Sequence, residues 1–500
     1  MRVVQNPQMQ IGEVDVSQIK FDPRSRDDIP KILKGLQHLY LNLPLRTQIF
    51  HLLETELAPK VNKRNGRPGM ELWKILVCGV VRLDLNEDYD RLHELVNHHD
   101  TLRQMLGHAM FDETNYAYQT LKDNVSLFTP GLLDKINQVV VGAGHDLVKK
   151  KDGEALRGRC DSFVVETDVH FPTDSNLLYD AMRKVITLIA RWCAELGVSE
   201  WRQYRHNLRQ LKRLLRAVQN ARRSKAQSAV QKERNAKRVR AVYEEYLTVA
   251  AGYLYRAQET LAKLEQVGFC DEFAVLRKLE IEGFMQHAIR QIDHTQRRVL
   301  QDESIPHEEK VFSIFEPHTE WISKGKAGVP VELGVKVCVL EDQYQFILHH
   351  QVMQKQTDEQ VTVAMVQQTQ QRFPDLRVCS FDKGFHSPGN QSALQELLQL
   401  AVLPRKGKLS PAAQELEQSA EFGEARRAHS AVESAINALE VHGLDRCPDH
   451  GINGFKRYVA LAVVARNIHR IGAILWQQEQ QRAQRKKQRA ERAPPHRRAA

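Results

Sequence analysis

One long segment of the chain, residues 176–301, contains no proline and only four glycines. A segment of that length with so few helix-breaking residues predicts a set of long helices. Short apolar runs rich in valine, which are typical of buried strands, precede it at 163–165 and follow it at 335–340. The order strand, helices, strand predicts an α/β protein in which a helical insertion of about a hundred residues interrupts a mixed sheet.

The positive charge of the protein is concentrated in this insertion. Residues 202–240 carry fourteen Lys and Arg against the single Glu233, a net charge of +13, whereas the whole chain carries +10. The apolar positions of this segment follow one helix face: Leu208, Leu211, Leu214, Leu215 and Val218. Clustered basic residues on a helix bind nucleic-acid phosphates, so the sequence predicts DNA contacts from Arg209, Lys212, Arg213 and Arg216.

The remaining segments predict a helical part, a sheet and a tail. Residues 30–110 have apolar side chains at three- and four-residue spacing, so 1–150 is expected to form an all-helical N-terminal domain. That domain is interpreted as DNA-binding, and a packing or dimerisation role remains the alternative. Segments 151–175 and 310–476 are expected to form the sheet domain, with the insertion at 176–309. The basic end, 477–500, lacks apolar periodicity and is expected to be disordered.

Within the sheet domain, strand and helix patterns alternate. Residues 341–343 separate two strand patterns and predict a hairpin. The strands expected after the insertion are 335–340, 345–350, 378–381 and 401–403. The helices expected there are 359–372, 392–399 and a helical run over 412–476.

Length and cysteine content narrow the class of protein. The 500 residues suffice for two to four domains with their own cores. Seven scattered cysteines without a C-x-x-C pair argue against a disulfide framework or a cysteine-based zinc site, and they indicate a reducing compartment. No leader pattern and no apolar run of membrane-spanning length occur, so a soluble cytoplasmic protein is expected.

Three carboxylates stand where α/β proteins place ligands. Asp382 closes an apolar strand, Asp161 starts the first strand, and Glu433 lies on a helix predicted at 424–441. Together they could hold Mg²⁺, which prefers oxygen ligands and serves phosphoryl transfer. Each acid also has a simpler interpretation, as a turn former or a solvated side chain. The polar stripe around Glu433 consists of Arg426, His429, Ser430 and Asn437.

Several blocks of the sequence resemble those of bacterial insertion-sequence transposases of the DDE type. Residues 160–175, CDSFVVETDVHFPTDS, are similar to the block of the first aspartate, and 381–387, FDKGFHS, to that of the second. Residues 427–433, RAHSAVE, continued by HGLDR at 442–446, resemble the glutamate block. With Arg67-Pro68-Gly69-Met70 in the helical N-terminal part and Arg466-Asn467 in a downstream helix, the blocks keep the family order over about residues 65–470 and most resemble the heterogeneous ISNCY group.

The resemblance implies an RNase H-like catalytic core with helices inserted after its first strand. It also implies a DNA transposase that binds the terminal inverted repeats of its element and catalyses cleavage and strand transfer with Mg²⁺, or with Mn²⁺ in its place. The implied catalytic and metal-binding residues are Asp161, Asp382 and Glu433. The family's Asp-Thr-Thr or Asp-Ser-Thr is replaced here by Asp161-Ser162-Phe163, so Asp168 remains an alternative first ligand.

Two basic turns add candidate phosphate contacts. Lys324 and Lys326 flank one glycine, and Arg405 and Lys406 precede another, although exposed loops without a ligand have the same composition. The expected partners are double-stranded DNA, both element ends and target, and further copies of the chain on that DNA, without a membrane. The expected location is the bacterial cytoplasm at the nucleoid. The rival hypothesis is a non-catalytic DNA-binding protein derived from a transposase.

Overall fold

The computed structural model describes residues 3–6, 8–22, 24–57, 69–223, 228–266, 272–323, 330–405 and 411–492. The chain divides into two compact units, one of Met1–Asp168 with Ile322–Ala500 and one of Val169–Trp321. Each unit has its own hydrophobic core. The second unit corresponds to the expected insertion, but it begins before residue 176 and ends after residue 309.

A mixed sheet of seven strands, within the described residues, organises the first unit. The strands are β1 (Leu156–Thr167), β2 (Glu320–Ser323), β3 (Val331–Glu341), β4 (Ile347–Met353), β5 (Leu376–Phe381), β6 (Leu400–Val402) and β7 (Arg446–Cys447). β1 is central: it pairs antiparallel with β3 and parallel with β5 and, near its end, with β7. β2 and β4 pair with β3, and β6 pairs with β5. The mixed α/β architecture expected from the sequence is confirmed.

Both faces of β1 are covered over the run Phe163, Val164 and Val165, which explains why these residues are apolar. Cys160 is buried on one face, and Phe163 and Val165 are buried on the other. The pairing with β3 is close at Gly334, where a Cβ atom would lie 2.1 Å from the carbonyl oxygen of Val165. Only glycine permits that approach, so this position helps fix the register of the two strands.

The helices surround the sheet in the first unit and form the whole second unit. In chain order they are α1 (Ile29–Leu41), α2 (Leu43–Leu57), α3 (Leu72–Asp84), α4 (Tyr89–His98), α5 (Asp100–Met105), α6 (Tyr118–Val125), α7 (Pro130–Leu147), α8 (Asp174–Glu195), α9 (Tyr204–Arg223), α10 (Ala229–Gln266), α11 (Glu272–Thr295), α12 (Asp358–Arg372), α13 (Pro388–Leu397), α14 (Pro411–Gln418), α15 (Ala420–His429), α16 (Ala431–Leu439) and α17 (Gly451–Arg492). Helices α8 to α11 belong to the second unit, and the others belong to the first.

The last helix, α17, joins the N-terminal helices to the sheet. It packs against α1, α3, α7 and β4. At Gly35 of α1 an added Cβ would lie 2.2 Å from the carbonyl oxygen of Ile468, and at Gly472 of α17 one would lie 1.9 Å from that of Lys31. The two backbones therefore touch. Because one continuous core includes these helices and the sheet, residues 1–150 are part of the sheet's compact unit and not the separate domain that was expected.

The end of α17 corrects a second expectation. Residues 477–492 were expected to be disordered but continue the helix to Arg492, because their Gln, Arg, Ala and Glu residues favour helix once a helix is already formed. By length and composition alone, Gly451–Gln488 could cross a membrane. Since 72% of its most apolar window is buried inside the protein, it behaves as a core helix.

The second unit is helical, as its lack of proline predicts. Its core contains the apolar face of α9, including Leu211, Leu214 and Val218, and this stripe is the one expected from the sequence. Trp201 is also buried, and its Nε1 donates a hydrogen bond to Thr260 Oγ1 at 2.9 Å. The opposite face of α9 is exposed and basic.

Candidate active site

Two of the three candidate carboxylates lie side by side on neighbouring strands. Cys160 of β1 is in register with Phe381 of β5, and the strands are parallel, so the next residues, Asp161 and Asp382, are neighbours across the sheet. Parallel strands lie about 4.8 Å apart, which is close enough for two carboxylates to share a ligand. Asp161 lies in the middle of β1 and not at its start, because the polar residues before it also pair with β5.

The third carboxylate, Glu433, belongs to α16, which packs on β1. The pKa of Asp161 reflects its surroundings. Burial is the largest cause of its rise to about 6, the backbone N–H of Ser162 opposes that rise, and the negative charges of Asp382, Asp358 and Glu433 add to it. The charges of Asp382 and Glu433 thus act on Asp161, which indicates that the three carboxyl groups lie in the same region of the sheet. Asp161 is half-buried, whereas Asp382 and Glu433 are exposed.

The helix expected at 424–441 is interrupted next to the site. α15 ends at His429, Ser430 is the junction, and α16 begins at Ala431. The Ser430 hydroxyl donates to the Arg427 carbonyl at 2.9 Å, a local bond of the kind that competes with helix hydrogen bonding. Arg426 and His429 are therefore on a different helix from Glu433, and the single polar stripe expected from the sequence does not form.

His429 is nevertheless close to the carboxylates. Its Nδ1 lies 3.0 Å from Ser380 Oγ, on the strand that ends before Asp382. Burial lowers the pKa of His429, the negative charges of Asp382 and Glu433 oppose that effect, and the positive charge of Arg159 adds to it. His429 therefore attaches the end of α15 to β5, immediately before the helix that carries Glu433.

A fourth acid, Asp358, was not identified from the sequence. It opens α12, and its Oδ1 accepts a hydrogen bond from Ser162 Oγ at 2.6 Å. Its Oδ2 lies 2.9 Å from Lys336 Nζ on β3, which balances its charge. The Thr357–Gln360 capping box marks the start of this helix in the sequence, but nothing in that local pattern shows where Asp358 lies relative to Asp161.

Asp168, the alternative first ligand, lies elsewhere. It is exposed, one residue beyond the end of β1, and its Oδ1 is 3.8 Å from Arg446 Nη1. It is not among the charges that shift the pKa of Asp161. The structure groups Asp161, and not Asp168, with Asp382 and Glu433.

The residues predicted to contact DNA differ in their exposure, and some of them lie outside the described residues. Arg209, Lys212, Arg213 and Arg216 are all exposed along one side of α9, and no described carboxylate forms an ion pair with any of them. Arg405 is half-buried, and its backbone N–H donates to Glu417 Oε1 at 3.1 Å. Lys324, Lys326 and Lys406 lie outside the described residues.

Among the described residues, one group of side chains is compact enough to hold a metal ion: Asp84, His442 and His469 bring their ligand atoms within 4.8 Å of one another. Asp161, Asp382 and Glu433 offer only oxygen atoms, the ligands that a hard cation such as Mg²⁺ prefers. Across the described part of the chain no other such trio is as compact, so the three carboxylates are more widely spaced.

Comparisons of the chain with known protein families, with curated proteins and with solved structures found no match.

Proposed function

We propose that the chain is a DNA transposase of the DDE type, which binds the terminal inverted repeats of its element and catalyses Mg²⁺-dependent cleavage and strand transfer. The observation that carries this proposal is the position of Asp161 and Asp382 side by side on neighbouring strands, with Glu433 on the helix that packs on β1. Burial is the largest cause of the raised pKa of Asp161, and the negative charges of Asp382 and Glu433 add to it; a carboxyl group shifted by both effects is typical of a functional centre. The oxygen-only ligand set of the three residues suits metal-dependent phosphoryl transfer.

The topology of the sheet supports an RNase H-like core. Without the short strands β2 and β7, the strand order is β4-β3-β1-β5-β6. The first three strands along the chain, β1, β3 and β4, are antiparallel neighbours, and β5 and β6 then run parallel to β1. This is the order expected of an RNase H-like core, with the second unit inserted after its first strand.

The chain's own residues have distinct roles in this proposal. Asp161, Asp382 and Glu433 would hold Mg²⁺ or Mn²⁺. The bound ions would supply an activated attacking oxygen, first water and then a freed 3′-hydroxyl, and would stabilise the leaving oxygen. Ser162 links β1 to Asp358 and through it to Lys336, and this chain of contacts holds the middle of β1 in place. His429 orients the segment that precedes Glu433.

The partners in this proposal follow from charge. The four exposed cations of α9 have no described carboxylate partner, so they are available to DNA phosphates. The proposed partner is double-stranded DNA, both element ends and target, bound by several copies of the chain at the bacterial nucleoid. The second candidate function, a DNA-binding protein without catalysis, is favoured by the same basic helix but leaves the carboxylate grouping unexplained.

The amide variants Asp382→Asn and Glu433→Gln test the proposal. Each keeps the side-chain shape but removes a charged ligand, so terminal-repeat DNA should bind as well as to the wild type while cleavage in Mg²⁺ or Mn²⁺ falls below detection. Gel shift and release of a 3′-hydroxyl end measure the two properties. Asp161→Asn should behave in the same way.

Asp168→Asn is the matched control, since it removes an exposed acid from the end of the same strand. We expect it to retain cleavage. Full cleavage by purified Asp382→Asn or Glu433→Gln would contradict the assignment. If the wild type binds repeat-bearing DNA but does not cleave it with metal present, the non-catalytic function is the correct one.

A further inference from the structure

The cluster of Asp84, His442 and His469 lies apart from the carboxylate site and has no role in the chemistry above. Asp84 is the last residue of α3, His469 lies on α17, and His442 lies in a π-helical turn, Glu440–Leu444, that follows α16. The Asp84 carboxylate is fully buried, and no described Lys or Arg forms an ion pair with it. Its partners are the two imidazole rings.

Hydrogen bonds hold the cluster together. His469 Nδ1 lies 3.0 Å from both Asp84 carboxylate oxygens, and His442 Nδ1 lies 3.9 Å from Oδ1 and donates a hydrogen bond to the main-chain carbonyl of Asp84. In a tetrahedral zinc site with ligands at about 2.0–2.1 Å, neighbouring ligand atoms are roughly 3.4 Å apart. The ligand atoms of the three residues all lie within 4.8 Å of one another, so an ion would replace these hydrogen bonds after shifts of the side chains.

The backbone around His442 is held in an unusual conformation that directs its ring toward Asp84. His442 is not helical (φ −93°, ψ 34°), and Gly443 has φ +101°. A Cβ atom at Gly443 would lie 3.0 Å from Tyr458 Oη, which donates a hydrogen bond to the Gly443 carbonyl at 3.0 Å. This turn fixes the ring without help from an ion, so the site is largely preformed.

A cleft gives access from one side. A cavity of about 310 Å³ is lined by Asp84 and His442 and also by Asp28 and Glu87. Solvent can therefore reach His442, the partly exposed member of the cluster, and supply a fourth ligand, while the Asp84 carboxylate and His469 are buried. A site with three protein ligands and one open position is a known arrangement for zinc.

We propose that Asp84, His442 and His469 bind one divalent transition-metal ion of the zinc class. Two imidazole nitrogens and one carboxylate favour Zn²⁺ or Co²⁺ over Mg²⁺ and Ca²⁺, which prefer all-oxygen ligand sets. The ligands come from α3, the π-helical turn and α17, so the ion links segments far apart in the chain. It fixes the turn that follows α16, the helix of Glu433. The site does not depend on the proposed transposase function.

Co²⁺ titration of the metal-stripped full chain tests the site. Nitrogen-ligated tetrahedral Co²⁺ absorbs visible light much more strongly than Co²⁺ bound by oxygens alone, so the signal distinguishes this cluster from the carboxylate site. We expect the absorption to saturate at one Co²⁺ per chain, to disappear on adding Zn²⁺, and to persist in Asp382→Asn. Persistence there separates this site from the proposed function.

His442→Asn is the informative variant, since His442 is the more exposed of the two histidines. Loss of a ligand should weaken Co²⁺ binding more than about 100-fold. Zn²⁺ should also raise the melting temperature of the wild type and not that of His442→Asn. His145→Asn is the matched control, because His145 Nε2 also pairs with a buried carboxylate, Asp342 Oδ2, at 2.6 Å. Absence of the intense absorption in the wild type, or an unchanged titration in His442→Asn, would overturn the proposal.

Discussion

Burial of two adjacent histidines in the sheet, His349 and His350, makes the stability of the protein sensitive to acid. His349 of β4 is 5% exposed, and burial lowers its pKa from 6.5 to about 3, with the positive charges of His350 and Arg372 adding to the effect. The native state therefore keeps His349 neutral at a pH where the unfolded chain takes up a proton. Because the unfolded state binds more protons below pH 6.5, stability is full above that pH and declines as the pH falls toward 3.

This pKa difference makes a measurable prediction. Between pH 6.5 and 4.5, His349 should reduce the free energy of unfolding by about 2–3 kcal/mol. His349→Gln removes one titrating group and should make the dependence of urea unfolding on pH less steep across that range, while His350, whose pKa burial also lowers to about 4, keeps part of it. His98→Gln, at an exposed position of α4, should leave the dependence as it is in the wild type. Equal slopes for wild type and His349→Gln would contradict the prediction.

Single residues also show which parts of the candidate site can be predicted from the sequence. Asp161, Asp382 and Glu433 were found because each lies in a short motif or at the end of an apolar strand. Asp358 was not found, because its contact with Ser162 joins residues on either side of the whole insertion. The group of Asp84, His442 and His469 was missed for the same reason: the two histidines lack the i, i+4 spacing of a zinc-binding helix, and Asp84 lies more than 350 residues before them in the sequence.

Among the secondary-structure elements, α9 carries the most distinctive charge. Its cations at Arg209, Lys212, Arg213 and Arg216 follow one exposed side. Each phosphate that a protein neutralises contributes about −0.9 to the slope of log K against log salt concentration. If all four bind phosphate, replacing them with Gln should flatten that slope by roughly 2–4 units on non-specific duplex DNA.

The end of α17 provides a control with the same change in charge. Arg482, Arg485, Lys486 and Lys487 are also exposed on a helix, and replacing all four with Gln removes the same four charges. If net charge alone determined binding, the slope of log K against log salt concentration would flatten by the same amount in both variants. We expect the slope to flatten clearly more in the α9 variant, and equal flattening would show that α9 has no special contact with DNA.

Helix positions were predicted well where an apolar stripe continued and poorly where a helix ended inside a polar segment. The stripe of α9 is confirmed because burial on one side alone produces it. The break at Ser430 has no such signature, since alanine, arginine and histidine on either side are all compatible with a continuous helix. α17 is longer than expected because its buried half already stabilises the helix, which then continues without apolar residues.

At the scale of the whole molecule, the main difference from expectation is the single compact unit formed by the beginning and the end of the chain. Periodicity identified most of the helices in 1–150, but it contains no information about what they pack against. Their partner, α17, lies more than 300 residues later in the sequence. A local pattern therefore suggested a separate domain where long-range contacts make one core.

Gly35→Ala tests this shared core, because the added methyl group would press α1 against the backbone of α17. Overpacking against an immobile backbone should destabilise the first unit by about 2 kcal/mol or more. Gly142→Ala on α7 is the control: its Cβ meets nothing within 4 Å, and replacing a helical glycine should stabilise by about 0.5–1 kcal/mol.

Hydrogen exchange then shows which elements the Gly35→Ala substitution destabilises. In a single cooperative unit, Gly35→Ala speeds exchange in β1 and β3 as well as in α1, while α8 to α11, with their own core, keep wild-type protection. Faster exchange confined to residues 1–150 would mean that the N-terminal helices unfold independently of the sheet, as a separate domain does.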